Sequence, residues 1–197
     1  MEEKDVLRRP QIKRDKGRKM MMYNNVTKYY ERAYTLRSID RNHHQSDQSS
    51  HLRYGIIFWG NSTDKDIPFK AQKRCIRTMF KLGSTDSCKP YFINYNILTL
   101  PSLYIFEVVM FVKCNRHLFP RMADKVSRVR RDNTMLCSHV SKTALMRKSV
   151  FCMAPLIFNK LPKGWRELSA HILKKRLKLH LVGKAYYSIL EFMNEKV

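Results

Sequence analysis

Leu100 to Asn115, LPSLYIFEVVMFVKCN, restricts the fold more than any other stretch of the chain. Thr99 supplies an N-cap hydroxyl, and Pro101 falls in the first turn, where a missing N–H costs a helix nothing. Leu103, Tyr104, Ile105, Phe106, Val108, Val109, Met110, Phe111 and Val112 then follow with Glu107 as the lone acid. A helix that is apolar nearly all round has no side to offer to water, so other elements must cover it. Thr99, Pro101, Ser102 and Glu107 interrupt the run from Leu98 to Val112, which is too short and too broken to span a bilayer. The expectation is a mainly α fold: a small helical domain built around this segment as its buried central helix. Glu107 is expected to pair with a nearby Lys or Arg.

A second segment, FKAQKRCIRTMFK from Phe69 to Lys81, is two-sided. Phe69, Gln72, Cys75, Ile76, Met79 and Phe80 recur at steps of three and four and share one side of a helix. Lys70, Lys73, Arg74, Arg77 and Lys81 share the other, with no acid among them. A solvated helix face ordinarily mixes Glu with Lys, because i,i+4 pairs of opposite sign help the helix and like pairs cost a few tenths of a kcal/mol. A face of cations alone points to an external polyanion.

The remaining segments are shorter. Leu52 to Trp59 is a dense apolar run closed by Gly60-Asn61, a buried helix end or a strand, which periodicity does not decide at this length. Ser62 to Asp66 offers caps for the basic helix, and Gly83 is expected as its left-handed C′ residue. Asp86-Ser87 can cap a short helix from Cys88 to Tyr95, with Pro90 in its first turn and Asn96 ending it. Phe119 to Ser149 reads as a long basic loop in which Arg128, Arg130 and Arg131 make an exposed, phosphate-contacting cluster. A helix is expected from Val150 to Leu161, halting at Leu161-Pro162-Lys163-Gly164. Another starts near Ser169, with Ile172, Leu173, Leu177, His180 and Leu181 inward and Lys174, Lys175, Lys178 and Arg176 outward. His180 is expected to pack there. Gly183 separates a last piece, Ala185 to Phe192, whose Tyr186, Tyr187 and Phe192 dock as aromatics. Residues 1–50 read as a disordered amino-terminal extension, with a short helix over 20–36 and a polar linker over 37–50, and residues 51–197 as the folded domain.

Charge assigns the work to that domain. The chain carries 39 Lys and Arg against 16 Asp and Glu, a net +23 with a pI of about 10.1. Residues 1–50 hold 12 and 7 of these, so the excess lies in the remainder. An imbalance of this size draws the protein to nucleic acid or to anionic lipid. The amino terminus, MEEKDVLRRP, has no apolar core of a secretory signal, and five cysteines without a CxxC pair read as reduced thiols of an intracellular protein, nuclear or cytoplasmic. His43 and His44, or Cys137 and His139, lack the second ligand pair of a zinc site, so no metal is expected. No catalytic grouping is present: no paired aspartates, P-loop, GxSxG or HExxH. The residues alone describe a basic, helical, intracellular binding module.

From His51 onward the blocks HLRYGIIFWGNSTD, KAQKRCIRTMF, DSCKPYF, NILTLPSLYIFE, FVKCN, PLIFNKLP and KAYYSILEF resemble, in order and with similar gaps, the region after the palm in reverse transcriptases of animal non-LTR (LINE-type) retrotransposons. The resemblance implies the thumb and carboxy-terminal part of an RNA-directed DNA polymerase, which grips the template–primer duplex while the palm does the chemistry. Fingers, palm, endonuclease and the metal-binding aspartates are not in this sequence, so the fragment is expected to be inactive by itself and to need no cofactor. The Mg2+ of the family would sit in the palm, which is the further partner implied. SRVRR at Ser127 to Arg131 departs from the His-Asn-x-Arg-like block usual at that place, and residues 1–50 do not resemble the family.

The expected function is therefore backbone binding to RNA, DNA or their hybrid. Lys70, Lys73, Arg74, Arg77 and Lys81 are the first contacts, Lys174, Lys175 and Lys178 the second, and Arg128, Arg130 and Arg131 the third. Two alternatives stay open: a basic amphipathic module for an anionic membrane or an acidic protein partner, and a decayed fragment without function.

Overall fold

The computed structural model describes residues 55–125, 134–138 and 141–195. Ten α-helices appear among them: α1 (Ile56–Trp59), α2 (Asp66–Phe80), α3 (Lys89–Asn94), α4 (Leu100–Cys114), α5 (Met122–Lys125), α6 (Ala144–Arg147), α7 (Val150–Lys160), α8 (Lys163–Glu167), α9 (Ala170–Lys184) and α10 (Ile189–Asn194), with a 3-10 turn at Arg116–Leu118. The described residues contain no strand, only an isolated antiparallel bridge between Arg121 and Leu136. The expected short helix over 20–36 and the expected boundary near residue 50 lie outside the described residues. Contacts divide the chain into two compact units, one holding Asp66–Ser84 and the other Arg53–Lys65 with Thr85–Val197.

In the second unit α4 is the central helix that its composition demands. Leu103, Tyr104, Ile105, Phe106, Val108, Val109 and Val112 are all buried, and α1, α7, α9, α10 and the 3-10 turn pack around it. Each such side chain contributes about 1.5–3 kcal/mol on leaving water, so this one helix carries much of the unit's driving force. Its start is fixed locally and at long range. Thr99 accepts a hydrogen bond at Oγ1 from the Ser102 N–H, as an N-cap should, and its hydroxyl also lies 2.5 Å from the Tyr186 carbonyl beyond α9. Since a carbonyl only accepts, the Thr99 proton goes to Tyr186.

Gly60 explains how α1 reaches α4. A Cβ at Gly60 would lie 2.5 Å from Cδ2 of Tyr104, so only glycine lets the backbone pass the ring. The apolar run before it is helical rather than extended, yet only Ile56 of α1 is fully buried and Phe58 is 74 % exposed.

Two expected glycine stops prove misplaced. Helix α2 ends through Lys81, whose φ is 52°, and the Leu82 N–H closes on the Arg77 carbonyl at 2.9 Å in the Schellman pattern; Gly83 lies beyond it. Gly183 lies inside α9, and the left-handed residue is Ala185, with φ 45° and a fully buried side chain. Asn96 ends α3 as expected: it is left-handed at φ 53°, and the Ile97 N–H returns to the Phe92 carbonyl at 2.9 Å. Within α9, Leu173, Leu177 and Leu181 face inward, but Ile172 is 52 % exposed and Val182 is buried instead.

The basic segment from Phe119 to Ser149 is more ordered at its ends than a loop. The Met122 N–H donates to the Met135 carbonyl and the Cys137 N–H to the Pro120 carbonyl, both at 2.9 Å, which brings the two arms together. Asn159 of α7 then fastens Leu136 with both amide atoms: its Oδ1 accepts from the Leu136 N–H at 2.8 Å, and its Nδ2 donates to the Leu136 carbonyl at 2.9 Å.

Candidate nucleic-acid interface

Helix α2 places four of the five expected cations on one side. At 100° per residue, Lys70, Lys73, Arg74 and Arg77 fall within an arc of about 100°, while Pro68, Phe69, Ala71, Gln72, Cys75 and Ile76 are buried on the other side; Lys81 follows the helix as its left-handed end residue. Lys70, Arg74 and Lys81 are exposed; Lys73 and Arg77 are half-buried. Lys73 lies over its own helix, with Nζ 4.8 Å from the centre of the Phe69 ring, a cation–π position that holds the ammonium at the edge of the apolar side. Asp66 in the first turn is the sole carboxylate of the helix, and none follows before Asp86. Within the helix itself the stripe is a line of like charges whose mutual repulsion a polyanion relieves.

The second expected cluster lies on α9. Lys174, Lys175 and Lys178 are exposed on a helix that contains no acid. Two further cations of this region are engaged. Arg176 stacks over Trp165, with its guanidinium carbon 5.0 Å from the ring centre. Lys184 pairs with Glu195, which also accepts the Tyr186 hydroxyl proton at 2.5 Å. His180 packs as expected, its ring edge-on to Trp165 and its Nε2 3.2 Å from the Tyr186 hydroxyl. Burial holds its pKa below the ordinary histidine value and Lys184 adds to this, while Glu195 pulls the other way. The α2 and α9 clusters belong to different units. The third expected cluster, Arg128, Arg130 and Arg131, lies outside the described residues.

Several basic residues that a charge count would assign to ligand are structural. Lys113 donates from Nζ to the Arg166 carbonyl at 2.8 Å, and burial together with Arg116 lowers its pKa. Arg116 lies over the Phe158 ring at 5.7 Å. Glu107 is half-buried on α4. Acids are sparse throughout the larger unit: Glu167 is the one carboxylate between Asp132 and Glu191. That deficit is legible in the sequence and locates the excess charge better than any single run of lysines.

Among the described residues no group of His, Cys, Asp and Glu is placed to hold a metal ion, and no helix is long and apolar enough to cross a membrane. Comparison of the chain with protein-family models, with curated proteins and with solved structures returned no match.

Proposed function

We propose that the chain binds the phosphate backbone of a template–primer nucleic acid, RNA, DNA or hybrid, as the thumb and carboxy-terminal region of a non-LTR retrotransposon reverse transcriptase. The observation that supports the reading is the α2 stripe, four cations in one arc opposite a buried side and Lys81 just beyond the helix, with Asp66 as the one acid of the helix. Backbone contacts of this type position a duplex and carry no sequence information. The α9 lysines, exposed on an acid-free helix, are the second contact surface. No catalytic step is assigned to these residues; nucleotide transfer belongs to a palm, with its Mg2+, supplied by another segment or chain. The five free cysteines, three of them buried, suit a reducing compartment, and the reading places the protein inside the cell, in nucleus or cytoplasm.

The test is the salt dependence of hybrid binding in a protein with Lys70, Lys73, Arg74, Arg77 and Lys81 replaced by Gln. Each lost phosphate contact flattens the plot of log K against log salt by roughly 0.7 to 0.9. The three exposed cations alone account for a change of about 2 to 3 on that scale. An unchanged slope removes α2 from the interface.

A further inference from the structure

Three phenylalanines form a column at the start of α7. The Phe111 and Phe119 rings meet edge to face at 6.0 Å, and Phe119 and Phe151 lie 6.1 Å apart with their planes tilted by 31°. Phe119 is buried, whereas Phe151, at the outer end, is 44 % exposed. An aromatic ring held from behind by another ring is an ordered flat surface, and little conformational entropy remains to be lost when a second flat group covers it. The residues that precede Phe151 in the chain are rich in cations. Lys142, Arg147 and Lys148 are all exposed; Arg147 belongs to α6, which packs on α7, and Lys148 links the two helices. No acid occurs between Asp132 and Glu167 to offset them.

We propose that Phe151, with Arg147 and Lys148, binds one nucleotide of a single-stranded nucleic acid, the base stacked on the ring and the adjoining phosphates against the two cations. The charge selects a polyanion, and the exposed ring selects one with unpaired bases, because a paired base keeps its faces inside the duplex. Stacking of this kind accepts any base, since every base has a π face. The exposed Leu145 and Met146 beside the cations offer further apolar surface to the base or sugar. The proposal rests on the nucleic-acid reading but on residues other than the α2 stripe, so the two can fail separately.

The experiment uses the full chain and an oligothymidine single strand. In the Phe151→Trp protein, the indole emission added to that of Trp59 and Trp165 is quenched by the strand, and the parent protein shows no equal change. Phe151→Leu, which keeps an apolar side chain at a partly exposed place, binds the strand about 5- to 150-fold more weakly, the factor for one stacked base. Arg147→Gln with Lys148→Gln flattens the salt slope for the strand by about 1.4. Binding of the strand without quenching, or unchanged affinity in Phe151→Leu, overturns the proposal even if hybrid binding still depends on α2. Quenching by phosphatidylserine vesicles and not by the strand overturns it in favour of a lipid surface. A chain that binds neither hybrid nor strand overturns this proposal and the proposed function together.

Discussion

Replacing Thr99 by Val removes one hydroxyl from a fully buried position and leaves the shape of the side chain nearly unchanged. That hydroxyl has two tasks: it accepts the Ser102 N–H at the start of α4, and it donates to the Tyr186 carbonyl 87 residues further along. Ser102 Oγ, 2.9 Å away, is part of the same group. Loss of an N-cap costs about 0.5–2 kcal/mol, and a buried carbonyl deprived of its donor costs about 1–3 kcal/mol. The two share one atom and do not add fully, so the expected loss is about 2–4 kcal/mol, roughly 30- to 1,000-fold in the unfolding equilibrium. In urea, at about 2 kcal/mol per molar, the midpoint falls by about 1–2 M. Thr99→Ser keeps the hydroxyl and should lose no more than about 1 kcal/mol, the order of one buried methyl group. A Thr99→Val protein within about 0.5 kcal/mol of the parent would refute the two-task account of this residue.

Other substitutions test separate links in the argument. Gly183 lies in α9 with open space where a Cβ would stand, so Gly183→Ala should stabilise by about 0.5–1 kcal/mol in thermal or urea unfolding. Ala185→Gly should come out close to neutral, since relief of a left-handed alanine, about 1–2 kcal/mol, is offset by about 0.8 kcal/mol from its buried methyl and by the greater freedom of glycine when unfolded. Burial raises the pKa of the Tyr104 hydroxyl well above the ordinary tyrosine value, and that hydroxyl has no hydrogen-bond partner among the described residues; Tyr104→Phe should be neutral or stabilising by up to about 1–3 kcal/mol, and a clear loss in calorimetry would contradict this. His180 has a folded-state pKa below its unfolded value, so the unfolded chain binds the extra proton. Stability from this group is complete above the unfolded pKa of about 6.5 and declines as pH falls through the folded one. His180→Gln should make the pH dependence of stability shallower in that window.

The central helix was legible because composition alone decided it: Leu103 to Val112 leaves no polar face at any rotation, and burial on all sides is the one arrangement such a helix accepts. The side of α2 that faces outward was legible for a similar reason, since its period separates cations from apolar residues without exception between Phe69 and Lys81. Helix ends were less legible. Gly83 and Gly183 carry the usual stop signal, but the left-handed residues are Lys81 and Ala185, one closing on the Arg77 carbonyl and the other burying its methyl. Packing outweighed a preference of about 1 kcal/mol. Pairings between distant residues left no trace in local pattern: neither Thr99 with Tyr186 nor Asn159 with Leu136 follows from spacing. The same holds for Phe151, an unremarkable residue in the sequence, because its exposure depends on which side of α7 meets α4.

The most direct measurement of the central claim is fluorescence anisotropy of the full chain with a labelled RNA–DNA hybrid across a salt series, the parent beside the five-Gln α2 protein, with circular dichroism to establish that both are helical. The account predicts tight binding by the parent, falling steeply with salt, and a slope lower by roughly 0.7 to 0.9 for each α2 phosphate contact removed. A helical parent protein that ignores the hybrid, or two identical slopes, would contradict it.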